Sequence, residues 1–170
     1  MGELVDIYDD NRVKTGEVID RTTKLEKGKY ILYVLAIVKN NEGRYLVTRR
    51  SLDKKWAAGK WEIPGGGTKA GETSLEAVKR EVFEETGLDV SLCDARVVYS
   101  YKNEDEGGDN YFVDMYLIEK DFSKEDVKCD MTETMDIALV SLEEIEAVHK
   151  KDGFLHYERL MTALTEAGEK

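Results

Sequence analysis

Three glutamates, at positions 81, 84 and 85, carry the clearest chemical signal in the sequence. On a helix, residues at i, i+3 and i+4 share one face within an arc of about 100°. Like charges at that spacing repel, at about 0.2–0.5 kcal/mol per pair on a bare helix. A bound cation would reverse that cost. With no His or Cys beside them, the carboxylates favour a hard oxygen-seeking ion, Mg²⁺ or Mn²⁺, over Zn²⁺. Such an ion polarises the oxygens it binds and lowers the pKa of a bound water. Taken alone, the three glutamates would be no more than a solvated helix face.

The surrounding residues supply the helix. From Thr73 to Thr86 the pattern is helical, with Thr73 and Glu76 placed as a capping box and Gly87 where a left-handed C-cap belongs. Leu75, Val78 and Val82 form the stripe expected to face the core, with Phe83 at its edge. Ala77 falls in the arc of the glutamates, one turn earlier, and is expected to leave open space before them.

Gly66, Glu72, Arg80-Glu81, Glu84-Glu85 and Gly87, with apolar Val82 and Leu88, follow one spacing from Gly66 to Leu88. It reads G, five residues, E, seven residues, R-E-apolar, one residue, E-E, one residue, G-apolar. From ordinary residue frequencies a chance match falls below about one in 10⁷ per starting position. In this segment the chain resembles the Nudix hydrolase superfamily. The resemblance implies an α/β fold, an α/β/α sandwich around a central mixed sheet, with 66–88 as a loop-helix-loop in a single domain spanning 1–170. It implies Mg²⁺ or Mn²⁺ held by Glu84 and Glu85, with Glu81 as a ligand or water-orienting group and the Gly66 carbonyl in the same shell. Arg80 and Glu72 map onto a supporting ion pair. Family members often use a glutamate outside the motif as base; Glu133, ahead of a late strand, is the positional candidate.

The rest of the chain provides strands. Tyr30–Val38 is an apolar run suited to a strand buried on both faces, and Arg44–Thr48 returns beside it after a turn. Arg49 and Arg50 close that strand on alternate faces. With Gly65 and Gly66 they are the candidate substrate-binding residues, a solvated surface pair being the plain alternative. Trp61–Ile63 reads as a short strand, Val97–Tyr101 and Tyr111–Ile118 as a pair around an acidic loop, and Ile137–Val140 as a last strand. Leu142–His149 and Phe154–Glu166 read as helices. Trp61 and most tyrosines suit sheet packing. His149 and His156 read as ordinary helix-surface residues. Residues 1–29 suit a hairpin or extended arm, and an arm of that kind leaves a homodimer open.

Composition narrows the function classes. The 170 residues carry 25 Lys and Arg against 36 Asp and Glu, a net charge of −11. Such a surface repels polyanions, so neither nucleic acid nor an anionic membrane is an expected partner; a small diphosphate is. Cys93 and Cys129 are the only cysteines and suit reduced thiols. The opening MGELVDIYDD has neither basic start nor apolar run, so a cytoplasmic location is the expectation.

Val5–Asp9, Lys14-Thr15-Gly16, Arg21 and Arg49-Arg50-Ser51 resemble the branch related to isopentenyl-diphosphate isomerases. Those enzymes require a cysteine in the stretch that here runs from Trp56 to Gly67, which has neither Cys nor His. Hydrolysis is therefore the first expectation, with isomerisation or non-catalytic nucleotide binding as alternatives.

Overall fold

The computed structural model describes residues 2–170. Its layering follows from alternation along the apolar run. Strand β3 (Ile31–Lys39) lies parallel to β8 (Tyr111–Glu119), in register from Ile31 opposite Tyr111 to Lys39 opposite Glu119. Side chains alternate across a strand. Val34, Ala36, Val38, Tyr116 and Ile118 therefore meet one layer, and Leu35, Ile37, Val113, Met115 and Leu117 the other. Helix α1 (Ser74–Thr86) covers the first face through Ala77, Val78 and Val82. Helices α2 (Leu142–Asp152) and α3 (Tyr157–Glu166) cover the second through Ile145, Leu160, Ala163 and Leu164. The result is a helix–sheet–helix sandwich around a mixed sheet. Among the described residues no helix is long and apolar enough to cross a membrane.

The β3–β4 pairing differs from the simple hairpin expected. Strand β4 (Tyr45–Arg50) meets β3 only beside the turn, at Lys39 opposite Tyr45. Beyond that point β4 pairs with β9 (Thr134–Val140), while β3 takes β6 (Gly65–Gly67), from Tyr33 opposite Gly67 to Leu35 opposite Gly65. The two strands part because glycine lets a third backbone in: a Cβ on Gly65 would stand 2.3 Å from the Val34 carbonyl oxygen. The short β5 (Trp61–Glu62) lines the other side of β4, and β7 (Ala95–Asn103) pairs antiparallel with β8.

Helix α1 is capped largely as its sequence demands. The Thr73 side chain accepts from the Glu76 N–H at 3.1 Å, and Gly87 sits at φ 70 with its N–H on the Phe83 carbonyl. Only the Thr73 half of the capping box forms. The buried stripe is rotated from the one expected. Ala77, Val78, Glu81, Val82 and Thr86 are inside, whereas Leu75 is 42% and Phe83 57% exposed. Ala77 is a core residue, not a gap before the glutamates. The rotation turns Glu81 toward the glycine strand, which has no side chains to hold it off.

Residues ahead of β3 form an antiparallel hairpin, β1 (Leu4–Tyr8) and β2 (Lys14–Asp20), seated on this chain's own sheet. Val5 and Ile7 pack on Ile31, and Tyr8 on Tyr30, Leu32 and Phe112. Arg12, at the hairpin turn, forms an ion pair with Asp114 of β8, a residue 2% exposed that also accepts from Ser74 and Ser100 hydroxyls at 2.6 and 2.7 Å. Burial pushes the Asp114 pKa up, but bonds from Arg12, Ser74 and Ser100 outweigh it and hold the carboxyl below its ordinary value. Arg12→Ala would leave that carboxylate with hydroxyl partners alone. The variant is expected to lose about 2 kcal/mol at neutral pH, read from the denaturant midpoint. The difference should shrink as the pH falls below the ordinary aspartate range, about 3.9, where the unfolded chain takes up the proton first.

Candidate active site

Where β3 and β4 separate, α1, β5, β6 and the β1–β2 hairpin enclose a polar cleft of about 520 Å³. Its wall combines Glu81, Glu84 and Glu85 of α1 with Gly65 and Gly66 of β6, Glu62 of β5, Arg50 of β4, and Glu133 just ahead of β9. The fit between helix and glycine strand is close. A Cβ on Gly66 would lie 2.5 Å from a Glu81 carboxylate oxygen, so glycine is what admits the carboxylate there.

Arg80 organises this wall. Its Nε and Nη2 donate to both carboxylate oxygens of Glu72, at 2.7 and 2.9 Å, and Nη2 also reaches the Gly67 carbonyl at 2.9 Å. Nη1 donates to Glu81 at 2.9 Å and Glu84 at 3.0 Å. One guanidinium thus ties the 68–72 loop to the helix and neutralises part of the acid cluster.

The remaining charge is poorly compensated. Burial, opposed by Arg80 and reinforced by Glu84 and Glu133, pushes Glu81 up to about 7. Burial with Glu81 and Glu62 nearby pushes Glu85 well above its ordinary value. Glu62 is also raised by burial, against the pull of Arg50 at 3.1 Å. Oxygen-only donors short of positive charge fit a hard divalent cation. Among the described residues no three acidic, His or Cys side chains already converge as a cage; Arg80 stands between Glu81 and Glu84. Glu84, with half of its side chain exposed, is the least confined of the three carboxylates.

Not every expected residue lies here. Arg50 lines the cleft, but Arg49 donates to the Gly59 carbonyl at 2.9 Å and lies outside it. Ordinary alternation puts the two on opposite faces of β4; the bulge beside them lies on β9, where Met135 falls between the partners of Arg49 and Arg50. Glu133 is at the rim, paired with Lys54 at 3.6 Å.

A second cavity of about 430 Å³ adjoins the first and shares Arg21, Arg50, Glu62, Gly65 and Gly66 with it. Tyr33, Tyr101, Tyr111, Trp56 and His156 make it aromatic. Trp56, 59% exposed, lies 5.2 Å beneath the Arg50 guanidinium and 6.3 Å from His156, whereas Trp61 packs into the α2–α3 core. His156 is not an ordinary helix-surface residue. It caps α3 at φ 60, and burial followed by Arg50 lowers its pKa.

The pattern of the NUDIX domain family matches residues 29–162. The chain belongs to the Nudix hydrolase family. An uncharacterised Nudix hydrolase of Listeria monocytogenes is 33% identical over 89% of this chain and 88% of its own length. A Deinococcus radiodurans crystal structure superposes with TM-score 0.70 at 21% identity, covering 89% of this chain and 91% of that one. The NUDIX domain of Shewanella oneidensis NrtR, crystallised with ADP-ribose, does so with TM-score 0.65 at 16% identity, covering 81% and 88%. The hairpin and Arg21 precede the matched segment.

The raised Glu81 makes the metal-free protein pH-sensitive. A carboxyl whose folded pKa, about 7, exceeds its ordinary 4.5 binds its proton more tightly when folded, so stability falls as pH rises through that window. The metal-free protein is expected to lose about 2–3 kcal/mol between pH 5 and pH 8 from this group. Glu81→Gln should flatten that slope in thermal melts with chelator present. A slope unchanged by the substitution would show that Glu81 ionises without strain.

Proposed function

We propose that this chain hydrolyses the diphosphate linkage of a nucleoside diphosphate derivative with Mg²⁺ or Mn²⁺. The observation carrying the reading is the under-compensated wall of Glu62, Glu81 and Glu85 set against a glycine strand. Glu81, Glu84 and Glu85, with the Gly66 carbonyl, are the groups that would hold the cation. When bound, it would offset the charge of the diphosphate and of the carboxylates together and bring water closer to ionisation.

The protein's own residues divide the remaining tasks. Arg80 and Glu72 keep the helix and its preceding loop in register. Arg50 presents its guanidinium where the polar and aromatic cavities join, a position suited to phosphate oxygens. Glu133, at the rim beside Lys54, would accept the proton from the attacking water. The aromatic cavity offers stacking faces with His156 and Asp109 as polar contacts, a setting for a planar base. The ADP-ribose held by the Shewanella domain is a ligand of this general build.

Cys93 and Cys129 pack against the cluster between α1 and the sheet. Alkene protonation therefore lacks the thiol that an isomerase uses, and hydrolysis is the favoured reaction.

A panel of nucleoside diphosphate sugars, dinucleoside polyphosphates and nucleoside triphosphates with Mg²⁺ or Mn²⁺ tests this. At least one is expected to release nucleoside monophosphate or phosphate. Glu85→Gln should lower kcat by about 10²-fold or more, as loss of a charge-stabilising group does. Glu133→Gln should cost about 10²–10⁴-fold in kcat. Full turnover in both variants would refute these assignments.

A further inference from the structure

Arg21, which follows β2, stands where the polar cleft meets the aromatic cavity and lines both. Its guanidinium lies 5.3 Å over the Tyr33 ring and rests on Gly67, where a Cβ would come within 3.3 Å of the guanidinium carbon. Among the described residues Glu3, 3.2 Å away, is its one ion-pair partner, and 39% of the Arg21 side chain remains exposed.

The other arginines of the cleft are more heavily engaged, while its lysines, Lys54 and Lys69, which lack the planar fork, lie 3.6 Å from Glu133 and 3.9 Å from Glu84. Arg80 is divided among Glu72, Glu81, Glu84 and the Gly67 carbonyl. Arg50 is shared between Glu62 and the Trp56 carbonyl. A part-exposed pair such as Arg21–Glu3 contributes little on its own and is readily exchanged for a stronger anion. A phosphate, whose oxygens match the guanidinium fork, is such an anion.

We propose that Arg21 grips the phosphate oxygens of the substrate at this junction, which makes the β1–β2 hairpin a working wall of the active site. The inference rests on the diphosphate reading above and deepens it by assigning a binding residue outside the segment that matches the family. The hairpin is built to hold such a residue in place. Arg12 anchors it to Asp114, the Asp6 carboxylate accepts from the Gly71 N–H at 2.8 Å, and the Leu4 carbonyl accepts from the Ala70 N–H at 2.8 Å. The last two contacts join it to the loop that carries Glu72, so the phosphate grip and the acid cluster share one support.

Two measurements on the full chain test the proposal: steady-state kinetics on the best substrate of the panel, and calorimetric affinity for inorganic pyrophosphate with Mg²⁺. Arg21→Ala is expected to raise KM and weaken pyrophosphate binding by about ten-fold or more, with kcat within about three-fold, the signature of lost ground-state binding. Arg21→Lys, which keeps the charge but not the fork, should recover part of the loss. Lys24→Ala, the same charge change on an exposed residue, should leave both values unchanged. Equal KM and pyrophosphate affinity in wild type and Arg21→Ala would overturn the proposal even if the enzyme turns over normally. If wild type hydrolysed nothing on the panel while Arg21→Ala still weakened pyrophosphate binding, the hydrolytic reading would fall and the Arg21 grip would stand.

Discussion

Ionising Glu62, Glu81 and Glu85 together in one poorly hydrated wall is the constraint on which the rest of the site depends. Burial raises the pKa of all three, and neighbouring carboxylates push Glu81 and Glu85 further in the same direction. Ordinary surface helices avoid this by turning their acids to water. Here α1 is rotated so that Glu81 faces inward while Leu75 and Phe83 face solvent, an exchange of apolar burial for charge proximity. Such an arrangement costs stability in the metal-free chain and is sustained by the packing around it.

Three features sustain it. Glycines at 65, 66 and 67 form a strand that pairs with β3 and leaves room beside it for the Glu81 carboxylate. Arg80 bonds five oxygens on four residues and holds the helix to the loop before it. The hairpin, through Asp6 and Leu4, holds that same loop from outside. Each is a fixed positive or spatial element arranged around a negative centre, leaving space and charge for one more cation.

Much of this was legible in the sequence where the determinants are local. The caps at Thr73 and Gly87, the spacing from Gly66 to Leu88 and the apolar run of β3 each depend on residues within about one element of each other. What sequence patterns missed was long-range. The rotation of α1, which buries Ala77 and exposes Phe83, depends on a glycine strand whose pairing with β3 is set by β4 leaving for β9. Alternation separates Arg49 from Arg50, but which of them enters the cleft depends on the face of β4 that the cleft occupies, set by segments distant in sequence. Trp56 and His156, 100 residues apart, meet only through the placement of α3. Glu62 is one polar residue within the expected Trp61–Ile63 strand, and Arg21 enters the sequence reading only through the isomerase-branch resemblance. Neither has a local signal; both acquire a role from the cavity they share.

The deciding measurement is proton release on magnesium binding, by titration calorimetry at pH 7 in two buffers of different ionisation enthalpy. Mg²⁺ is expected to bind and displace on the order of one proton from the carboxylate wall, a release that shrinks when Glu81 is replaced by glutamine. Binding with no proton release, or with the same release in the glutamine variant, would contradict it.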